Sequence, residues 1–160
     1  MRFKRTLTFS LFFVVPFSCQ VLSNEIVGRE KGFITYRSLD AEDKVKIVKT
    51  DNIFPTKTEL NSAGIVGTIP VISMDVISRN SDGSQGVYYR DAGPFYSMLT
   101  RAHYDCTRMM RKVYERSYHS TLNPYAGGSI ITVTSGFEWT AYNYFKDYPI
   151  EFKIACDGMR

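Results

Sequence analysis

Two cysteines limit the folds available to this chain more than any other feature. Cys106 and Cys156 are the pair that remains once an N-terminal leader containing Cys19 is set aside. In an oxidising compartment, two cysteines most simply form one disulfide. That bond would close a loop of about fifty residues and stabilise the fold by roughly 2–4 kcal/mol. The alternative is a pair of buried free thiols, which are common in protein cores.

The leader predicts an oxidising destination. It combines a basic start, an apolar run and small residues ahead of a cut site: Arg2, Lys4 and Arg5, then Leu7 to Phe17, then Val21 and Ser23 before Asn24. This is the pattern of a secretory signal peptide, and the apolar run is shorter than the ~20 residues of a membrane-spanning helix. We expect residues 1–23 to be removed and the remainder to be secreted without a membrane attachment. Lipidation of Cys19 is the alternative, although Pro16-Phe17-Ser18 fits a lipobox poorly.

Composition predicts one ordered domain over residues 24–160. The whole chain is 44% hydrophobic and 14% aromatic, which is enough apolar material for a packed core. Removing three basic leader residues lowers the formal net charge from +4 to +1. A nearly neutral chain has no global attraction to nucleic acid or anionic membranes, so such binding needs a local patch.

Residue periodicity of two predicts strands in the first half of the chain. The expected strands are Phe33–Tyr36, Lys44–Lys49, and Val71–Ile77 followed by Val87–Tyr89 across a turn at Asn80–Ser84. Residues 50–63 contain few periodic apolar positions. We expect a long loop there, with one helical turn near Lys57–Leu60.

The period changes between Asp91 and Ser117. Apolar or small residues recur there every three or four positions, which predicts one amphipathic helix of about six turns, or two shorter helices: Phe95, Met98, Leu99, Ala102, Cys106, Met109, Met110, Val113 and Ser117. Gly127-Gly128 follows as a breaker. Period two then returns in three segments expected to form an antiparallel meander: Ser129–Thr134, Phe137–Phe145 and Ile150–Cys156.

The expected fold class is α+β, with one long amphipathic helix packed on an antiparallel β-sheet. Helical spacing places Cys106 on the apolar stripe. Strand alternation places Cys156 on the same face as Phe152 and Ile154. Both sulfur atoms would then point into one interface, which favours the disulfide.

Chemistry is concentrated on the expected helix. Glu115 and His119 are four residues apart and would share a helical face, with Arg116 close by. A carboxylate, an imidazole and a guanidinium suit acid–base cleavage of a phosphodiester. The alternative is an ordinary exposed helix pair. A basic face formed by Arg101, Arg108, Arg111 and Lys112 could contact a nucleic-acid backbone, or could simply be solvated. Metal-ligand spacings and nucleotide-binding glycine motifs are absent, so we expect no metal and no cofactor.

The tripeptide Tyr104-Asp105-Cys106 resembles the Y-x-C motif of candidate secreted effectors of fungal plant pathogens, especially powdery mildews. The resemblance covers mainly residues 104–160. It implies a small secreted protein with a fold like that of secreted fungal ribonucleases, with the motif cysteine paired to a cysteine near the C-terminus, here Cys156. It also implies a protein that acts inside host cells on immune components, usually without catalytic residues.

Three functional hypotheses follow from these observations. The first is a monomeric secreted effector that binds a host or extracellular protein without turnover. The second is a secreted ribonuclease-like phosphodiesterase that uses Glu115, His119 and neighbouring arginines. The third is a protease inhibitor of cystatin-like outline, although the chain has no Q-x-V-x-G loop.

Overall fold

The structure, a computed structural model, describes residues 25–37, 44–62, 65–86, 93–141 and 148–157. The expected signal peptide over residues 1–23, with Cys19, lies outside these ranges. So do the strand expected at 87–89 and positions 142–145 of the strand expected over Phe137–Phe145.

Within the described residues, nine strands and one α-helix follow one another along the chain. Their bounds are β1 Ile26–Glu30, β2 Phe33–Arg37, β3 Lys44–Lys49, β4 Phe54–Ser62, β5 Ile65–Asn80, β6 Ser97–Asp105, β7 Met110–His119, β8 Ser129–Val133, β9 Thr140–Ala141 and α1 Tyr148–Asp157. Single 3-10 turns lie at Thr50–Asn52 and Pro124–Ala126. Over the same ranges, no helix is both long enough and apolar enough to cross a membrane.

The strands form one antiparallel sheet in the order β1-β2-β3-β5-β6-β7-β8. Strand β5 organises it, because its 16 residues pair first with β4 and then with β3 along one edge, and with β6 along the other. Short β9 pairs with the start of β7. Long-range strand pairing, rather than local helix formation, therefore builds this fold.

Helix α1 covers one side of the sheet, which we call the helix face. Three of its residues, Phe152, Ile154 and Ala155, pack into a cluster with buried residues from β2, β3, β5, β6 and β7. Directly opposite pairs share a face, so register assigns Val76, Thr100 and Arg116 to the helix face. The neighbouring row of Asp75, Arg101 and Glu115 belongs to the other side, the opposite face.

A β-bulge in β7 changes which side chains share a face. Arg101 lies opposite Glu115, but Ala102 lies opposite Val113, so Tyr114 is an extra residue in β7. An extra residue resets the alternation of side chains along a strand. Arg111 and Arg116, an odd number of residues apart, consequently point to the same helix face.

The long helix expected between Phe95 and Ser117 is wrong. This segment contains β6 and β7, joined by a turn at residues 106–109. Oδ1 of Asp105 accepts the backbone N–H groups of Thr107 and Arg108 at 3.0 and 3.1 Å. A side-chain acceptor of this kind stabilises a turn, and it interrupts regular structure in the middle of the expected helix.

The three-and-four spacing misleads because β6 packs on both of its faces. Met98 is half-buried on the helix face, and its neighbour Leu99 is buried on the opposite face. Strands covered on both sides lose the simple alternation of apolar and polar residues. The expected α+β class with one long helix is therefore wrong, because the protein is mainly antiparallel β with one short helix.

The last expected strand, Ile150–Cys156, is also wrong, because these residues lie within α1. Buried residues occur at 150–152 and 154–155, with Lys153 and Asp157 exposed, which is the pattern of an embedded helix. The loop expected over 50–63 is wrong beyond Thr50–Asn52, since β4 fills most of it. The strands expected at Phe33–Tyr36, Lys44–Lys49 and Ser129–Thr134 are confirmed as β2, β3 and β8.

The disulfide between Cys106 and Cys156 is confirmed, with a Cα–Cα distance of 5.9 Å. The elements that carry the two cysteines differ from the prediction, which placed Cys106 on a helix and Cys156 on a strand. Cys106 lies in the β6–β7 turn, and Cys156 lies in the last turn of α1. The bond fastens the C-terminal end of the helix to the end of the β-hairpin.

Candidate functional site

A cavity of about 290 Å³ opens on the helix face beside α1. We call it the cationic cavity, because five basic residues of the described chain line it together with one carboxylate: Lys44, Lys46, Arg79, Arg111, Arg116 and Glu151. Its size is at the lower end of the range for small-molecule sites. Register places the Arg79 side chain on the opposite face with Asp75, where it lines a second pocket, so Arg79 reaches the cationic cavity only at its rim.

Strand geometry gathers these cations from distant parts of the sequence. Lys44 and Lys46 alternate on β3 and therefore point to one face. Arg111 and Arg116 share that face because of the bulge at Tyr114. Strands β5 and β6 separate the two basic pairs and supply the wall between them.

Glu151 anchors the base of the cavity. Its side chain is 1% exposed, and it lies in the first turn of α1, where the helix dipole favours negative charge. Its oxygens accept hydrogen bonds from the hydroxyl groups of Tyr36 at 2.9 Å and Tyr104 at 2.6 Å. Lys46 Nζ and Arg111 Nε each lie 3.5 Å from a carboxylate oxygen.

These contacts keep Glu151 ionised in spite of its burial. Burial alone would raise the pKa of its carboxyl group, but Arg111, Lys46 and the two tyrosine hydroxyls together lower that pKa below the ordinary value. Burial and the neighbouring carboxylate raise the pKa of Tyr36 well above its usual value, so Tyr36 remains a neutral donor. Glu151 thus neutralises part of the positive charge of the cavity and fixes α1 to the sheet.

The remaining cations of the cavity have no carboxylate partner in the part of the chain that the structure describes. Within the described residues, no ion pair is formed by Lys44, Arg79 or Arg116. The Nε atom of Arg116 is buried and has no hydrogen-bond partner in this part of the chain, and its guanidinium lies 5.5 Å from the ring centre of Phe137. Buried donors are normally satisfied, so Arg116 is ready to bind an acceptor that enters the cavity.

The other wall of the cavity is apolar and aromatic. Phe95, Tyr96 and Met98 line it, and Val76 lies behind them on β5. The Phe95 ring packs edge-on against Tyr118, with ring centres 5.0 Å apart. The cavity therefore combines positive charge from β3 and β7 with an apolar and aromatic surface between them.

Glu115 and His119, both predicted from the sequence as catalytic, lie on the opposite face. Oε1 of Glu115 accepts a 2.9 Å hydrogen bond from Arg101, and His119 is buried with its Nε2 2.8 Å from the hydroxyl of Ser117. Four residues span about 6 Å on a helix but about 13 Å on a strand. The structure therefore does not bring Glu115 and His119 together, and Arg116 points to the other side of the sheet.

The predicted basic face is also divided. Arg101 joins Asp75 and Glu115 on the opposite face, and Lys112 lies opposite His103 there. Arg108 pairs with Asp105 in the turn at 3.0 Å. Only Arg111 of the four predicted residues lines the cationic cavity.

All three residues of the Tyr104-Asp105-Cys106 motif have structural contacts. Tyr104 donates to Glu151, Asp105 accepts the backbone N–H groups of the turn, and Cys106 forms the disulfide. The motif thus connects strand β6, the hairpin turn and α1. The contacts of Tyr104 and Cys106 hold the helix over the sheet, and those of Asp105 stabilise the turn.

Sequence reasoning missed Lys44, Lys46 and Glu151 as site residues. The alternation of Lys44, Lys46 and the apolar residues between them was a usable signal for one basic strand face. Nothing local signalled Glu151, because its role depends on partners more than a hundred residues away, such as Tyr36. No group of His, Cys, Asp or Glu suited to a metal ion occurs among the described residues.

Comparison of the chain with models of known protein families, with curated proteins and with solved structures gives no match. The inference of function consequently depends on the geometry of the site.

Proposed function

We propose that the protein is a secreted binding protein that holds an anionic group in the cationic cavity, without turnover. The observation that carries the proposal is the excess of cations over carboxylates in one cavity, five against one among the described lining residues. Electrostatic attraction in a partly closed pocket is stronger than at an open surface, because less water screens it.

The charge excess is specific to the cavity rather than to the whole chain. Residues 24–160 carry a formal charge of only +1 if the leader is removed. Arg101 and Arg108, elsewhere on the molecule, are each paired with a carboxylate. Lys44, Arg79 and Arg116 form no such pair among the described residues, and the buried Nε of Arg116 is costly to leave without an acceptor.

Calorimetric titration with inorganic phosphate at constant ionic strength tests the proposal. We expect saturable binding that weakens at least tenfold in Lys44→Ala and in Arg116→Gln, because each loses a charged contact worth about 1.5–3 kcal/mol. Lys153→Ala is the matched control, since Lys153 is exposed on α1 and does not line the cavity. Equal losses in all three variants, or no binding by the parent, would reject the proposal.

We further propose that this binding serves an effector, in line with the resemblance of Tyr104-Asp105-Cys106 to the Y-x-C motif. An effector of this kind would present the cavity to an acidic group of a host protein. A pull-down from host extract with the parent protein and with Lys44→Ala tests this. Partners that bind both proteins equally would exclude the cavity from the interaction.

RNA cleavage is the competing hypothesis, and the same protein preparation tests it. The distance expected between Glu115 and His119 on one strand argues against their acting on one phosphate. Cleavage of single-stranded RNA by the parent that disappears in His119→Ala would favour the enzyme. Absence of cleavage by the parent would eliminate this class under the conditions of the assay.

A further inference from the structure

We infer that the anionic ligand is a phosphate monoester carrying a compact planar ring, the class that includes nucleoside monophosphates. This inference depends on the proposed anion-binding function, and it adds that the bound phosphate carries a planar ring. It begins from the mixed lining of the cavity, in which basic residues of β3 and β7 flank an apolar surface that includes the Phe95 ring.

The charged residues favour a dianion over a single carboxylate. Glu151 already engages Lys46 and Arg111, each with an atom 3.5 Å from its oxygens. Lys44 and Arg116 remain for the ligand. A phosphate monoester carries a charge of about −1.5 to −2 at pH 7 and offers three strong acceptor oxygens, which matches these two cations from β3 and β7.

Arg116 is the residue that most directly points to a phosphate. Its Nε is a buried donor without a partner in the described chain, and the guanidinium already stacks 5.5 Å from the centre of the Phe137 ring. Stacking fixes the plane of the guanidinium. A fixed guanidinium presents parallel N–H groups, which bind phosphate oxygens in pairs.

The apolar wall indicates that inorganic phosphate alone leaves the site incomplete. A bare phosphate would not cover Phe95, Met98 or Val76, which line the same cavity. An aromatic side chain accepts a planar ring by stacking, at about 1–3 kcal/mol for a nucleobase. The volume of about 290 Å³ limits the ligand to a single small body of this kind.

Backbone pairing makes Phe95 a rigid platform. The backbone N–H of Gly86 donates to the carbonyl of Phe95 at 2.7 Å, and a Cβ atom at Gly86 would lie 3.1 Å from the Phe95 ring. Gly86 therefore packs tightly against one part of the ring. Together with the edge contact to Tyr118, this packing restricts the ring to one orientation.

The experiment is a calorimetric titration of the disulfide-intact protein with four probes: adenosine 5′-monophosphate, ribose 5-phosphate, inorganic phosphate and adenosine. We expect adenosine 5′-monophosphate to bind at least tenfold more tightly than ribose 5-phosphate and inorganic phosphate, and adenosine to bind least. Equal affinity for the three phosphate probes would overturn the ring inference and leave the proposed anion binding intact. No binding of any phosphate probe would overturn both.

Two variants separate the two halves of the site. Phe95→Leu should reduce the affinity for adenosine 5′-monophosphate to about that for ribose 5-phosphate, and should leave the affinity for inorganic phosphate unchanged. Lys44→Ala should weaken the binding of all three phosphate probes by a similar factor. Because Lys44 is exposed, this substitution should leave the fold intact. A uniform loss in Phe95→Leu, with an unchanged melting temperature, would contradict the role of the ring.

Discussion

Glu151 places a negative charge in the buried interface between α1 and the sheet, and four groups from four strands compensate it. Glu151→Gln keeps the shape of the side chain and removes its charge. We expect the free energy of unfolding to fall by about 3–5 kcal/mol, because Lys46 and Arg111 lose their shared buried partner. Urea denaturation measures the change.

Glu59→Gln is the matched control for this substitution, because Glu59 is exposed on β4. It should change the free energy of unfolding by less than about 0.5 kcal/mol. If Glu151→Gln folds, the cavity also gains net positive charge, so its affinity for inorganic phosphate should rise. A variant as stable as the parent would contradict the role given to Glu151.

Gly128 has a backbone that other residues adopt poorly. Its φ is +78°, and a Cβ atom there would lie 2.6 Å from the hydroxyl oxygen of Ser120. Gly128→Ala should therefore lower the free energy of unfolding by about 1–3 kcal/mol through backbone strain. Gly67→Ala is the control, since no atom lies within 4 Å of its Cβ position, and it should be neutral or slightly stabilising in thermal denaturation.

At the scale of elements, the disulfide holds α1 on the β6–β7 hairpin. The double variant Cys106→Ser and Cys156→Ser should lower the free energy of unfolding by about 2–4 kcal/mol, because the unfolded chain gains conformational freedom. The free energies of unfolding of the variant and of the reduced parent, measured by chemical denaturation, should be equal. A loss below 1 kcal/mol in both would mean that apolar packing alone holds the helix.

The sequence predicted elements well wherever one side of a strand faces water. In β3, Lys44 and Lys46 alternate with Val45 and Ile47, and the predicted bounds match. Prediction of secondary structure failed in β6, where Met98 and Leu99 are adjacent apolar residues on different faces. Prediction failed again in α1, whose Ile150, Phe152 and Ile154 imitate strand alternation because they belong to a run of buried positions at 150–152 and 154–155.

At the scale of the whole molecule, two groups make the fold sensitive to acid. Burial and then the charge of Lys112 lower the pKa of His103 below its ordinary value of 6.5. As the pH falls, His103 therefore binds a proton in the unfolded chain at a higher pH than in the folded protein. Stability consequently falls as the pH drops below about 6.5. The lowered pKa of Glu151 acts in the same direction, so a second decline in stability begins below about pH 4.5.

Urea denaturation between pH 7.5 and pH 3 should resolve these two declines. His103→Phe removes the titrating ring and preserves an aromatic partner for Tyr114, whose ring centre lies 4.4 Å from that of His103. This variant should lose the first decline and retain the second. An unchanged slope between pH 6.5 and pH 5 would exclude His103 as the cause.

The disulfide could be predicted from the sequence, but the cationic cavity could not. A pair of cysteines after an expected export signal was enough to predict the bond. The cavity requires knowledge of strand register, because Lys46, Arg116 and Glu151 come from β3, β7 and α1. The bulge at Tyr114 adds a further obstacle, since strict alternation would have assigned Arg111 and Arg116 to different faces.

The covalent link between Cys106 and Cys156 also determines how the molecule responds to proteases. Any single cut between these residues leaves two fragments that stay joined through sulfur. Arg111, Arg116 and Glu151 all lie inside that closed loop. A protein nicked there would migrate intact on a non-reducing gel, and it would keep these three residues of the cationic cavity attached to the rest of the molecule.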